Sequence, residues 1–529
     1  MESKAISGSK PVETGSVPAD RPGNEPNGNS KPPSSRISKI PIAAGVMFVC
    51  FGTIAILAVQ SGFGLSVRSP RTERLASEGL LAALGRLLGI SGLSHGTLTA
   101  LYFSLIVILF AAYLWAIILA LKKGEKVSRP LVYGFFAAFS LWLLFLPPLL
   151  SQDAFSYIFY GKALAVHGKN PLVTVPASFP GDPVVQYIGW KHTVSVYGPL
   201  SNYISSLLVI ISGKSVTSNV IAFKLLNFGF LLGSLFLLDD LAGRLLGERG
   251  KLALLITAWN PLIIIHFSGS VHHDTIMIFL ILLGLLLYRK EYPVLAISFI
   301  VLAATVKAIA LLVLVPVLVL FLRENAKRTL SQYLAAIAVL VAVPLAMYLP
   351  LWSGITRNVN QVLSMGEKSS LSSIPSILGT AIEASVRWLG GPANTTAGHW
   401  AVRVLFLLFF LAAFLALCVR VREYHSLIFA CGAIALLNTL TAPYLMPWYI
   451  GLALFLVVLS GSSLWIGATV GATFSLSCYV RTINGQTGVV ASVLLLLVAV
   501  FLLVGVLRNR GRAHATFADS YSMGMRSME

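Results

Sequence analysis

Side chains able to move a proton or hold an anion gather in a few short stretches of this sequence. Asp153 opens the first, DAFSYIFYGKALAVHGKNP. There Asp153, Ser156, Tyr157 and Tyr160 recur at i, i+3, i+4 and i+7, one face of a helix. Lys162 and His167 follow, and Tyr197 closes the same connection just before Gly198–Pro199. The second stretch, WNPLIIIHFSGSVHHD, carries His266 and then His272, His273 and Asp274. The third is Lys307, alone in the apolar run 293–322. Tyr444, Trp448 and Tyr449 in TAPYLMPWYI and Arg481 in CYVRTINGQ complete the set. A carboxylate can accept a hydroxyl proton, and lysine, histidine or arginine can stabilise a departing anion.

Each stretch also has a plainer reading. Asp153 can cap the helix that follows Ser-Gln-Asp. The His272–Asp274 segment can be a polar turn between apolar runs. Two histidines and an aspartate could also suggest a metal, but adjacent residues rarely ligate one ion together, so no metal or other cofactor is indicated by the sequence. Lys307 can snorkel, although lysines inside apolar segments are costly and usually paired. Tyr444, Trp448 and Tyr449 can be interfacial belt aromatics. Lys224 and Asp239–Asp240 read as topological charges at helix ends.

Composition sets the frame for these residues. The chain has 529 residues, 56% of them hydrophobic and only 11% charged, where soluble proteins carry about 25% charge. This places it among polytopic membrane proteins. The net charge of +19 is spread in short clusters between apolar runs (Lys122–Arg129, Arg323–Arg328, Arg420–Arg422, Arg508–Arg512), as topology signals are. A nucleic-acid partner would need one contiguous basic face, which is absent. The four cysteines lie in or beside apolar runs without pairing or metal spacing.

Spanning helices need about 20 apolar residues. Candidates are 40–63, 97–121, 131–150, 219–241, 251–269, 331–352, 399–419, 425–443 and 488–507. Shorter runs occur at 200–212, 274–288, 293–322, 446–460 and 463–480. The expected fold is all-α, with roughly 11–14 crossings. Residues 1–38 are expected to form a disordered cytoplasmic tail with no cleavable leader, 39–507 the membrane domain, and 508–529 a basic cytoplasmic tail. With the basic clusters inside, 64–96, 151–199, 270–274, 353–398 and 443–447 fall outside. The run 200–212, short for a span, is then interfacial or re-entrant. The segment after Asp153 reads as an amphipathic helix on the outer membrane surface. The 30-residue run 293–322, about 45 Å as one helix, exceeds the hydrocarbon core, so it should go up and return with Lys307 near its tip.

The spaced motifs resemble those of the GT-C glycosyltransferases. They are D-x-x-S-Y-x-x-Y-G-K-x-x-x-x-H-G-x-N-P from Asp153 to Pro171, Y-G-P-L from Tyr197, N-P-L-x-x-x-H-x-x-G-x-x-H-x-D from Asn260 to Asp274, and Val-Lys at Lys307. Within that superfamily they are similar to the actinobacterial polyprenyl-phosphate-mannose-dependent α-1,6-mannosyltransferases that build lipomannan. The likeness is strong over about residues 130–320. Leu172 departs where an aromatic often follows Asn-Pro, and His273 stands where asparagine is usual. The resemblance implies a plasma-membrane enzyme with an extracytoplasmic site, a lipid-linked sugar donor, a glycan or glycolipid acceptor, and inversion. On that reading Asp153 is the general base. Lys307, His272 and Arg481 would hold the lipid phosphate, and Asp274 would orient His272 or a sugar hydroxyl. Lys162, His167 and Tyr197 would shape the cavity from the long loop, and His273 would join the substrate-binding residues. A secondary transporter or lipid flippase is the alternative class; it would show internal repeats and paired broken helices at mid-membrane.

Overall fold

Apolar runs of spanning length become helices here, and the polar interruptions become the breaks between them. The computed structural model describes residues 38–60, 79–122, 127–391, 396–480 and 487–526; most of the expected N-terminal tail lies outside these. The principal helices are α1 (Ile40–Ala58), α2 (His95–Leu121), α3 (Arg129–Leu144), α4 (Asp153–Ala165), α5 (Pro199–Ser212), α6 (Val216–Leu246), α7 (Gly250–Ala258) and α8 (Asp274–Arg289). They continue as α9 (Pro293–Val306), α10 (Leu311–Arg323), α11 (Leu330–Tyr348), α12 (Thr396–Val419), α13 (Tyr424–Thr441), α14 (Ile450–Val457), α15 (Ser463–Ser477) and α16 (Thr487–Arg526). Among the described residues, seven segments are long and apolar enough to cross a membrane, and five shorter apolar helices accompany them. The protein is an all-α polytopic membrane protein. On α11, Leu330, Leu334, Ile337, Val341 and Leu345 are all exposed at helical spacing. Such a stripe would be an aggregation hazard in water and is a lipid contact in a bilayer.

The run 293–322 does break at Lys307, which is extended (φ −152°, ψ 124°) at the end of α9. The two halves form a hairpin. Glu324, just past α10, accepts a hydrogen bond from Tyr288 Oη at 2.8 Å, beside the start of α9. A single straight helix would separate those ends by about 45 Å. The Arg328 guanidinium also pairs with Glu324. Arg323 Nη1 donates to the Val421 carbonyl at 2.6 Å, and Tyr424 Oη to the Leu285 carbonyl at 2.8 Å. The basic clusters near 289, 323–328 and 420–422 therefore meet at one end of the bundle. Asp274 and Lys307 meet at the other, the length of the 16-residue α8 away, about 24 Å.

With 14 residues, α5 is about 21 Å long and falls short of a hydrocarbon core, whereas the 31-residue α6 is about 46 Å. Gly247, at φ +58°, ends α6. A Cβ on Gly250 would sit 2.7 Å from the Ala242 carbonyl carbon, so α7 turns back tightly along α6. Lys224 is not at a helix end. It lies inside α6, 1% exposed, with Nζ donating to the Leu143 and Leu146 carbonyls at 2.8 and 2.7 Å. It satisfies the C-terminal carbonyls of α3 where no water reaches them. Asp239 and Asp240 are also within α6, paired with Arg129 and Arg244.

Two breaks have evident local causes. Trp259 is fully buried, and its Nε1 donates to the Val132 carbonyl at 3.0 Å. Asn260 then caps a new turn, accepting from Leu262 N at 3.1 Å, with Pro261 in the first position where a missing N–H costs nothing. After Thr441 the backbone opens again. Its carbonyls at Pro443 and Leu445 are satisfied by Ser370, Ser372, Ser373 and Ser376 at 2.7–3.0 Å. Buried irregular backbone requires such partners.

Candidate active site

Three of these interruptions face one another across a cavity of about 400 Å³. Leu150–Asp153 and Ser156 form one wall, Trp190, Thr193 and Tyr197 of the long connection a second, and Tyr444 and Met446–Tyr449 a third. His266 and Lys307 also line it.

A backbone stitch brings Asp153 beside His272. Leu149 N donates to the Gly269 carbonyl at 3.1 Å, and Ser270 Oγ donates back to the Leu149 carbonyl. Gly269 keeps this corner tight, since a Cβ there would lie 2.3 Å from the Ile265 oxygen of its own turn and 2.8 Å from Leu149 Cδ1. Asp153 Oδ2 then lies 3.4 Å from His272 Nδ1. That separation lacks the alignment of a hydrogen bond, and both His272 ring nitrogens are buried with no hydrogen-bond partner among the described residues. The contact is a close approach of the two side chains, not a hydrogen bond. His272 is held instead by stacking on Trp448, ring centroids 4.0 Å apart at 18°. Asp153 is the first residue of α4, where aligned peptide dipoles favour a negative charge.

Asp274 occupies the same position on α8, and Lys307 ends α9, where a cation is favoured. Lys307 Nζ donates to both Asp274 oxygens, at 2.9 and 3.0 Å, and lies 4.3 Å from the Tyr449 ring centroid. The pair is neutral as a unit, so Asp153 carries the net charge of the cavity wall. The pairings differ from those expected from sequence: His272 faces Asp153, and Asp274 faces Lys307. His273 Nδ1 meets Ser201 Oγ at 2.6 Å, and its ring stacks on Tyr157 at 3.8 Å. The stretch His272–Asp274 is not an exposed polar tip. Its residues are 0%, 1% and 4% exposed.

The α4 helix exists where it was expected, but it is enclosed rather than lying on a surface. Residues 154–161 are all buried. A Cβ on Gly161 would lie 2.5 Å from the Ser205 oxygen, so α5 covers it. Lys162 and His167 lie away from the cavity wall. Both grip Asp182 of the long connection, Nζ at 2.6 Å and Nε2 at 3.3 Å. Burial alone would raise the Asp182 carboxyl, yet the Lys162 hydrogen bond, with those from Val184 N and His167, holds it below its ordinary value. Tyr197 does line the cavity, its ring 4.6 Å from Tyr157. The next residue, Gly198, presses its N–H onto the Val306 carbonyl at 3.0 Å, and a Cβ there would collide with Thr305. Arg481 lies outside the described residues. Among the described residues, no three His, Cys, Asp or Glu side chains come together as a metal site.

Sequence reasoning missed Trp190, Thr193 and Tyr479 in the wall and Asp182 as a clamp. No sequence pattern marks Trp190; beside it, a Cβ on Gly189 would meet Gln152 Oε1 at 2.2 Å, where the loop passes over the residue before Asp153.

Comparison with known proteins supplies the family. Residues 49–324 match the family model described as alpha-(1->6)-mannopyranosyltransferase, N-terminal domain. That region includes Asp153, His272, Asp274 and Lys307 but not Trp448 or Tyr449. The chain is similar to alpha-(1->6)-mannopyranosyltransferase A of Corynebacterium glutamicum, with 32% identity over 173 residues, covering 32% of this chain and 35% of the relative. It is 33% identical over 213 residues to the Mycobacterium tuberculosis protein of the same name, covering 39% and 40%. It is also 25% identical over 170 residues to alpha-(1->6)-mannopyranosyltransferase B of Corynebacterium glutamicum, covering 31% and 28%. The matched segments thus span well under half of each relative.

Proposed function

The chain belongs to the alpha-(1->6)-mannopyranosyltransferase family, and from that premise we propose that it transfers mannose from a polyprenyl-phosphate donor to a glycan or glycolipid acceptor. The reaction proceeds with inversion, on the extracytoplasmic face of the plasma membrane, in cell-envelope glycan synthesis. One observation carries the reading. Among the described residues that line the cavity, Asp153 is the one carboxylate, and no lysine pairs with it; Lys307, which also lines it, is paired with Asp274 behind the wall. This division suits an inverting displacement, which needs one base and no carboxylate nucleophile.

In the proposed reaction the acceptor 6-hydroxyl oxygen bonds to C1 of mannose on the face opposite the phosphate. The C1–O bond to phosphate breaks, its electron pair leaves with the phosphate, and the hydroxyl proton passes to Asp153. An α product formed with inversion requires a β-linked donor. Charge growing on the phosphate is stabilised by Lys307, which lines the cavity while anchored to Asp274. His272 has both nitrogens sealed, so it acts through Asp153 as a positioning residue. Arg481 remains a proposed phosphate partner, and no metal or cofactor is assigned a role. The positive-inside rule supports this face of the membrane, since the basic clusters meet at the end opposite the cavity. Transporters and flippases also use broken helices, but transport requires no base at Asp153.

The test is to incubate membranes containing the protein with radiolabelled polyprenyl-phosphate mannose and mannoside acceptors, then determine the product linkage. A new α-1,6 linkage supports the proposal. Unchanged acceptor, or movement of intact lipid across the bilayer, contradicts it.

A further inference from the structure

His266 belongs to a motif singled out in the sequence, and the mechanism above gives it no task. It sits in a widened helical turn, Ile264–Ser268, closed by an i to i+5 hydrogen bond from Gly269 N to the Ile264 carbonyl at 3.1 Å. Turns of this kind are rare and concentrate at functional sites. The ring is 3% exposed and lines the cavity, 5.8 Å from Trp448 and 6.2 Å from His272 between ring centroids. Its two nitrogens differ. Nδ1 is sealed and has no hydrogen-bond partner among the described residues, whereas Nε2 is not sealed in this way.

A buried N–H without an acceptor forfeits a full hydrogen bond. A proton on Nδ1 would be in that position, so we assign the single proton of the neutral ring to Nε2, the nitrogen left to the cavity. The neutral Nε2–H matches an uncharged oxygen. A phosphate would be better served by a ring protonated on both nitrogens, for which Nδ1 has no acceptor.

Resting on the transferase reading above, we propose that His266 reads one hydroxyl of a hexopyranoside lying beside Trp448. It is a specificity-determining residue, donating from Nε2–H to that oxygen. Sites that hydrogen-bond a particular hydroxyl reject the analogue lacking it far more strongly than apolar pockets reject size changes.

The test measures binding of octyl α-D-mannopyranoside and its monodeoxy analogues to the purified full-length protein by tryptophan fluorescence. One deoxy analogue should bind wild type about ten-fold more weakly than the parent, the effect of about one hydrogen bond. His266→Phe should bind that analogue and the parent alike, and His266→Gln, which keeps an N–H donor, should restore part of the difference. The inference is overturned if no octyl mannoside binds, if wild type discriminates against no analogue, or if discrimination survives in His266→Phe. It is also overturned if His266→Phe instead loses affinity for undecaprenyl phosphate with the deoxy panel unchanged. Should His266→Phe fail to fold, wild type and His266→Gln still decide between these outcomes. Because binding is read without turnover, a wild-type protein that binds mannosides selectively but transfers no mannose would refute the transferase reading alone.

Discussion

Replacing Lys307 by Met removes the ammonium while keeping much of the apolar stem. In the native protein that ammonium makes two charge-assisted hydrogen bonds, at 2.9 and 3.0 Å, to an Asp274 side chain only 6% exposed. Losing one partner of a buried pair costs about 3–5 kcal/mol, because the other charge is left without compensation. At about 1.4 kcal/mol per decade, amide protection at the start of α8, from Thr275 to Met277, should fall by roughly 10²- to 10³·⁵-fold in hydrogen exchange. The double variant Lys307→Met with Asp274→Leu removes both charges and should recover most of that protection, since an apolar pair of similar volume is often neutral or stabilising. If Lys307 merely reached for the membrane interface, Lys307→Met would leave protection within about two-fold of wild type, and the double variant would gain nothing. Either result refutes the pairing argument.

Other consequences are sharp enough to check. His272→Phe keeps an aromatic ring against Trp448 but removes the ring nitrogen 3.4 Å from Asp153; kcat should drop about ten- to hundred-fold with KM nearly unchanged and the pH profile displaced, whereas a purely structural role would lower stability and leave the profile in place. The Asp182 clamp should respond to acid. Its carboxyl is held below the ordinary value of 3.8, so its contribution is fully present above that pH and is lost as pH falls from there through the folded value. Limited proteolysis of the 166–198 connection should therefore be slow at neutral pH and accelerate only below about pH 4. Asp182→Asn should cleave quickly at both, and equal rates for wild type and variant would remove the clamp from the account.

Much of this arrangement was legible in sequence because polar residues are costly in apolar surroundings. Lys307 stood out in a run too long for one crossing with basic residues at both ends, and the hairpin follows from those two facts. Asp153 and the His272–Asp274 stretch were visible for the same reason. Their pairing was not, because it depends on the stitch between Leu149 and Gly269–Ser270, two loops with no shared pattern. Lys224 was misplaced since a sequence cannot show that α3 ends against the middle of α6. Asp182 reads as an ordinary turn residue in Pro-Gly-Asp, and the serines near 370 fall within the outside connection 353–398, with no sign that they partner the open backbone after Thr441. The α4 segment shows a polar face because tyrosine hydroxyls, serine and lysine count as polar, although neighbouring elements bury nearly all of it. Nor can periodicity distinguish the two nitrogens of His266.

The central claim is that Asp153 takes the acceptor proton, and Asp153→Asn tests it most directly because the amide keeps the shape and loses the basicity. Initial rates of mannose transfer from radiolabelled polyprenyl-phosphate mannose should be compared for purified wild type and variant at matched thermal stability. The account predicts a loss of about 10²- to 10⁴-fold, the range of general-base contributions, with donor binding retained. Transfer within a few-fold of wild type would contradict it.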